Sequence, residues 1–249
     1  MLFRSDIDAT FRISLERLQE SGVDVSKVRI VPGATTTGLT VILHHAQWRN
    51  ILTYAGTIAE LRWDDLDLDY LSDSRHFHFS SYYLQKSLRP RVVELFQYLK
   101  SKGLTISLDT NDDPDDRWEG GLHDVLRHVD IFLPNEREAR KAAGTEDLED
   151  AVGRLSELVP LLVVKLGRKG VLAQKGSERF TAAAREVVPV DPVGAGDSFD
   201  AGFLHEYIHG ADVQTCLRSG NLAGALSTTR PGGTEAFRDA EHRNKFLGR

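Results

Sequence analysis

Thirteen residues, Asp191 to Phe203 (DPVGAGDSFDAGF), place the tightest restriction on how this chain can fold. Gly194 and Gly196 bracket Ala195, an acid follows at Asp197, and Phe199, Phe203, Leu204 and Ile208 then recur at helical spacing. Gly194-Ala195-Gly196-Asp197 therefore reads as the first turn of a buried helix. Such a turn presents unpaired N–H groups and the positive pole of the helix dipole, a site for an anion. Small residues let the anion approach the backbone. A carboxylate beside a phosphate needs a task there. Asp197 could take the proton from a hydroxyl attacking phosphorus, which points to phosphoryl transfer.

The stretch resembles the second signature of the ribokinase-like, PfkB-type carbohydrate kinases, with loop, acid and the following Gly202 all in place. The resemblance implies that Asp197 is the catalytic base and that Gly194, Ala195 and Gly196 form an anion hole for the transferring group. A glycine-rich turn capped by an ordinary acid would explain the same residues. Motifs earlier in the chain weigh against that plainer reading.

VDIFLPNEREARKAAG (129–144) is a short strand that breaks at Pro134 into a helix beginning near Asn135. Asn135 and Glu138 suit an N-cap and a capping box. N-x-x-E directly after a core strand also resembles the family's phosphate and magnesium motif. The resemblance implies that Asn135 faces the nucleotide phosphates and that Glu138 acts on magnesium through its waters, a sparse arrangement that this ion favours. LLVVKLGRKGVLAQ (161–174) is a buried strand, a turn and a second strand. A tight hairpin alone would account for its glycines, but it is similar to the family's nucleotide loop, where Lys165, Gly167 and Gly170 would line the ATP site. Further on, Asn221 resembles the family residue near the adenine. Gly232, in TRPGGT, would join the Asp191 loop around a monovalent cation such as K+.

The N-terminal third is less explicit. TFRISLERLQES (10–21) reads as a helix ended by Gly22, and the strand, substrate-binding Asp and Gly-Gly-Asn segment with which the family opens have no counterpart before it. Two expectations follow: the numbering begins inside a longer protein, or part of the acceptor site is lost. From 28 to 54, short β-branched runs around Pro32-Gly33 read as strands of a small sheet. The resemblance implies a β lid, inserted at about 25–62, that covers the sugar and can form a homodimer contact. Edge strands of the main sheet are the alternative. His44 and His45, without a partner at metal spacing, read as surface residues. His76 and His78 share a strand face but lack a third ligand for a metal site.

RHFHFSSYYL (75–84) and LTISLDTN (104–111) read as core strands, with a helix over 89–101 between them. The polar ends at Asp109 and Asn111 fall where open α/β sheets bind ligands. The acidic run after Asp109 does not fit a calcium loop: Pro114 stands where that loop needs glycine, and Gly120 where it needs glutamate. It is expected instead to cap a helix running to about His128. Strands alternating with helices from residue 75 predict an α/β protein with a ribokinase-like parallel-core sheet, helices on both faces and a small β lid, as a single domain over 1–249.

Other ATP-using and dinucleotide-binding patterns are absent: there is no GxxxxGK[ST], no HRD with DFG, and no GxGxxG. A net charge of -6 with no basic run argues against nucleic acid as partner. The single cysteine suits a reducing cytoplasm, and no apolar run is long enough to span a membrane. The sequence thus points to ATP- and Mg2+-dependent phosphorylation of a hydroxyl on a small sugar or sugar acid. The alternatives are a nucleoside or phosphosugar acceptor, or a nucleotide-binding protein without kinase activity.

Overall fold

The computed structural model describes residues 4–5, 9–30, 35–45 and 48–248. The Pro32-Gly33 turn and the side chains of His44 and His45 lie outside the described residues. β1 (Arg4–Ser5) pairs in parallel with β2 (Arg29–Ile30), and α1 (Ala9–Glu20) lies between them in sequence. β3 (Leu39–His45) and β4 (Trp48–Tyr54) form an antiparallel pair of their own, with Leu39 opposite Tyr54 and Val41 opposite Leu52. Among the described residues this pair joins no other strand, so it is a separate ribbon rather than an edge of the main sheet. Because side chains alternate along a strand, the register gathers Leu39, Val41, Leu43, Leu52 and Tyr54 on one face. All five are exposed.

α2 (Leu68–Ser72) leads into the main sheet of six strands. These are β5 (His76–Ser80), β6 (Thr105–Asp109), β7 (Ile131–Phe132), β8 (Leu161–Lys165), β9 (Val171–Lys175) and β10 (Glu178–Ala182). Spatial order runs β10-β9-β8-β7-β6-β5. The pairs from β5 to β8 are parallel, and β9 and β10 pair antiparallel at one edge. LLVVK is apolar up to its lysine, and TISLD is buried from Ile106 to Asp109, because both faces of the parallel core are covered.

Five short helices pack on one face or lead to it: α3 (Val92–Ser101), α4 (Leu122–Leu126), α5 (Glu136–Ala143), α6 (Leu148–Ser156) and α2. Leu95, Leu126, Ala139 and Leu155 meet Ile106, Leu108, Leu162 and Val164 there. The opposite face carries α7 (Ala195–Ile208) and α8 (Val213–Ser227), whose Phe199, Phe203 and Leu217 meet Ile131, Leu161 and Val163. Each large apolar side chain fully buried in these layers contributes about 1.5–3 kcal/mol. α9 (Glu235–Arg238) and α10 (Ala240–Leu247) close the chain. Among the described residues, no helix is long and apolar enough to cross a membrane.

The pleat decides where the chemistry goes. Ile131, Leu161 and Val163 face α7, so Ser107, Asp109 and Lys165, in phase with them across the parallel register, face α7 too. Two expectations are adjusted. The helix expected over 89–101 opens with a 3-10 turn at Arg89–Arg91, where Pro90 lacks the donor an α-helix interior needs. The acidic run does not cap the following helix: α4 is short, its N-cap is Gly121 and it has no side-chain cap. Asp113 is occupied by the amides of Asp115, Arg117 and Trp118, while Asp112 and Asp116 pair with Arg137.

Candidate active site

α7 starts abruptly. Gly194 is its N-cap in the left-handed region, with φ 75°, and no side chain caps the first turn. A Cβ at Gly194 would lie 2.8 Å from the Cα of Gly233, so glycine is needed for both conformation and space. Asp191 organises the approach: Oδ1 accepts the Val193 amide at 3.0 Å and Oδ2 the Gly232 amide at 2.9 Å. The Asp191 loop and the Gly232 turn expected to join it are therefore bonded to each other. With no side-chain cap, the opening turn is left to meet an anion with its amides and dipole.

Asp197 projects from that turn into a cleft of about 1580 Å³. Its walls include Thr40 and Thr53 of the ribbon, Ser80 at the end of β5 and Ser81 after it, and Thr234 ahead of α9. Solvent reaches the carboxylate from the cleft side. The protein packed behind it, and secondarily the charge of Asp109, push its pKa up. A carboxylate shifted in that direction is a better proton acceptor than an ordinary aspartate.

On the neighbouring strand end, Asn135 caps α5 and its Oδ1 accepts the Glu138 amide at 3.0 Å. Glu138 returns the bond, its Oε2 accepting the Asn135 amide at 2.8 Å. The capping box is thus present. Glu138 is nonetheless buried, and burial followed by the charge of Asp109 raises its pKa to about 7. An acid held at that value by burial and nearby negative charge is one that a bound cation would ionise. The donors are oxygen only, and one carboxylate suits an ion that keeps most of its waters and phosphate ligands, so these residues fit magnesium.

Lys165 connects this turn to α7. Its amide donates to the Pro134 carbonyl at 2.9 Å and its backbone bridges Asn135. Its ammonium turns inward, 2.8 Å from Asp109 Oδ2 and 3.2 Å from each Asp200 oxygen. Burial opposes that charge, but Asp200 and Asp109 outweigh it and hold Lys165 protonated above the usual lysine range. Gly167 and Gly170 lie in the 3-10 turn between β8 and β9 and at its end. Gly170 packs against the Ala182 carbonyl, which a Cβ would approach to 2.1 Å. Asn221, on α8, donates from Nδ2 to the Ala182 and Ala183 carbonyls, 3.0 Å each, steadying the segment after β10.

The structure therefore gathers Gly194, Ala195, Gly196, Asp197 and Asp191 at one turn. It joins them to Asn135 and Glu138 through Lys165, and sets Gly167, Gly170 and Asn221 along the β9–β10 side. Sequence reasoning missed Asp200 and gave Asp109 no partner. The available signal was an acid three residues after Asp197, on a helix whose neighbours Phe199, Phe203 and Leu204 are all core residues.

Known proteins resemble this chain in both sequence and fold. The family model described as pfkB family carbohydrate kinase matches residues 10–240. An Archaeoglobus fulgidus protein described as an uncharacterized sugar kinase is 29% identical over 236 residues, 92% of this chain and 91% of its own length. The cytidine kinase of Thermococcus kodakarensis is 32% identical over 205 residues, 80% of this chain and 71% of its own. A candidate ribokinase II from E. coli superposes with a TM-score of 0.89 at 27% identity, covering 99% of this chain and 82% of its own. Its structure with ATP and Mg2+ gives 0.86. Since the matched span runs through the acid-bearing helix and through the strand-end turns beside it, the chain belongs to the pfkB family of carbohydrate kinases and is an ATP-binding phosphotransferase.

Proposed function

We propose that this kinase transfers the γ-phosphoryl group of ATP to a hydroxyl of a sugar or sugar acid, with Asp197 as the base. The observation that carries the reading is Asp197's place on the cleft wall, at the uncapped start of α7. Asp197 orients the acceptor hydroxyl and takes its proton as that oxygen bonds to phosphorus and the bond to ADP breaks. The amides of Gly194, Ala195 and Gly196 hold the oxygens of the transferring group, the main demand of a loose transition state. Magnesium, when bound, neutralises phosphate charge, and Glu138 with Asn135 would hold it. Gly167, Gly170 and Asn221 border the nucleotide, and Lys165 does so through its backbone beside Asn135, its ammonium being turned inward to Asp109 and Asp200.

The reading extends to the architecture: one domain, with the β3–β4 ribbon as a lid over the acceptor. The bonded Asp191 and Gly232 turns are the proposed monovalent-cation site, and the exposed apolar face of the ribbon is the proposed homodimer contact. A nucleoside acceptor is the second reading, favoured by the 32% identity to a cytidine kinase.

Replacing Asp197 with Asn tests the assignment. Turnover on a panel of D-ribose, D-fructose, 2-dehydro-3-deoxygluconate and cytidine is expected to fall at least about a hundredfold, the low end for a general base. Titration calorimetry with Mg2+ and a non-hydrolysable ATP analogue should show affinity retained. An unchanged rate removes Asp197 as the base.

A further inference from the structure

Three side chains from three elements meet in a space almost closed to solvent: Asp109 at the end of β6, Lys165 at the end of β8 and Asp200 in the second turn of α7. Their side-chain exposures are 3%, 12% and 3%. The ammonium of Lys165 is bonded to both acids. It also stands directly behind the proposed anion hole, because a Cβ placed on Gly196 would lie 3.5 Å from Nζ. The same residue is tied through its backbone to the Pro134-Asn135 turn. Lys165 thus touches both halves of the site from behind.

We propose that Asp200 is a positioning residue for phosphoryl transfer: by clamping Lys165, it fixes the first turn of α7, with its amides and Asp197, against the Asn135 turn. The inference rests on the phosphoryl-transfer reading above and adds to it a residue that does not touch the substrate.

Charge balance shows how the clamp works. Two ionised carboxylates around one buried ammonium would leave a net negative charge out of water, which is costly. Burial pushes the pKa of Asp200 well above the usual carboxylate range, whereas at Asp109 burial is outweighed by the charge of Lys165 and by hydrogen bonds, which lower it, so the single proton belongs to Asp200. Asp109 is the ionised partner: it has the shorter contact to Lys165 and accepts the Asn111 amide at 2.9 Å. Asp200 holds the proton and accepts from Lys165. A carboxamide can do the same. An apolar side chain leaves the Asp109–Lys165 pair balanced but unties α7 from it.

The test compares Asp200→Leu and Asp200→Asn with the wild type. Because Asp200→Leu leaves a balanced ion pair, the variant is expected to fold, which its far-UV circular dichroism and a cooperative melt will show. With the best acceptor of the panel, its kcat should fall about a hundredfold, the cost of misplacing reacting groups by about 1 Å. Affinity for Mg2+ and the non-hydrolysable ATP analogue should stay within about threefold, and Asp200→Asn should recover most of the lost rate. Amide exchange of the peptide 191–203, followed by mass spectrometry without any acceptor, should speed up at least about tenfold in Asp200→Leu and much less in Asp200→Asn. Wild-type exchange and turnover in Asp200→Leu would overturn the clamp, and so would Asp200→Asn matching Asp200→Leu in both readouts. If the wild type turns over no acceptor while exchange still separates the two variants, the clamp stands and the phosphoryl-transfer reading falls.

Discussion

The carboxylate of Asp191 spans 41 residues of chain to accept the amide of Gly232 at 2.9 Å, while its other oxygen holds Val193. That bond keeps Gly233 pressed on Gly194, the residue that opens α7. Asp191→Ala strips the acceptor from two amides, and each bond to a charged group contributes about 1.5–3 kcal/mol, part of which water restores. A loss of about 1–3 kcal/mol is expected in urea unfolding. If K+ raises the Tm of the wild type, it should no longer do so in the variant. An unaltered midpoint would show that the loop stands without this tie.

At Gly202 α7 lies close against α8. A Cβ there would lie 2.7 Å from the Ser219 carbonyl and 2.8 Å from the Ala223 Cβ. Gly202→Val must push the helices apart, and overpacking of this kind costs about 1–3 kcal/mol or more. The variant should melt several degrees lower. Its specific activity should fall as well, since α7 carries Asp197 and displacement of one helix moves both.

His76 and His78 predict an acid sensitivity. His76 bonds Thr105 and Ser107 through its two ring nitrogens at 2.7 and 2.8 Å, and His78 bonds Ser107 at 2.7 Å. Burial lowers both pKa values to about 4, with the charge of His78 adding to the shift at His76. As pH falls below about 6.5 the unfolded chain takes up protons that the fold refuses until about pH 4, so this stability is lost across that window. Solvent reaches His78, so His76 carries more of the effect. Asp197, Asp200 and Glu138, with raised values, act in the opposite sense. The measurement is therefore a difference: Tm between pH 6.5 and 4.5 should drop less in a His76→Gln/His78→Gln double variant than in the wild type.

The ribbon face predicts an oligomer. Leu52 and Val41 sit opposite each other and are 59% and 43% exposed. Charges on a self-complementary apolar face repel across a two-fold axis. Sedimentation should find a dimer for the wild type and a monomer for Val41→Asp/Leu52→Asp. A monomeric wild type at tens of micromolar would remove the contact.

The elements and the abrupt start of α7 were legible because their signals are local. The glycine spacing at 194–196, the apolar period of α7 and the N-x-x-E box are written within a few residues of the turns and helices they form. Asp200 was not legible for the opposite reason. Three residues from Asp197 on a helix, it reads as another solvated position until the sheet is laid beneath it and a lysine from 35 residues earlier arrives. The acidic run misled in the same way: nearness in sequence suggested a cap for α4, whereas Asp112 and Asp116 are taken by Arg137, 25 and 21 residues away. Local pattern predicts which face a residue occupies, and only tertiary structure supplies its counter-charge.

Asp109 and Lys165 reach α7 because each ends a strand at the right parity, and parity has no intermediate setting. Deleting one residue from β8 would turn the ammonium into the layer of Leu155 and Leu162 and bring Val164 to the acids, so a slip of about 3.3 Å per residue spoils core and chemistry together. Descendants of this chain are thus free to vary what these strands carry, but single-residue changes in strand length are closed to them.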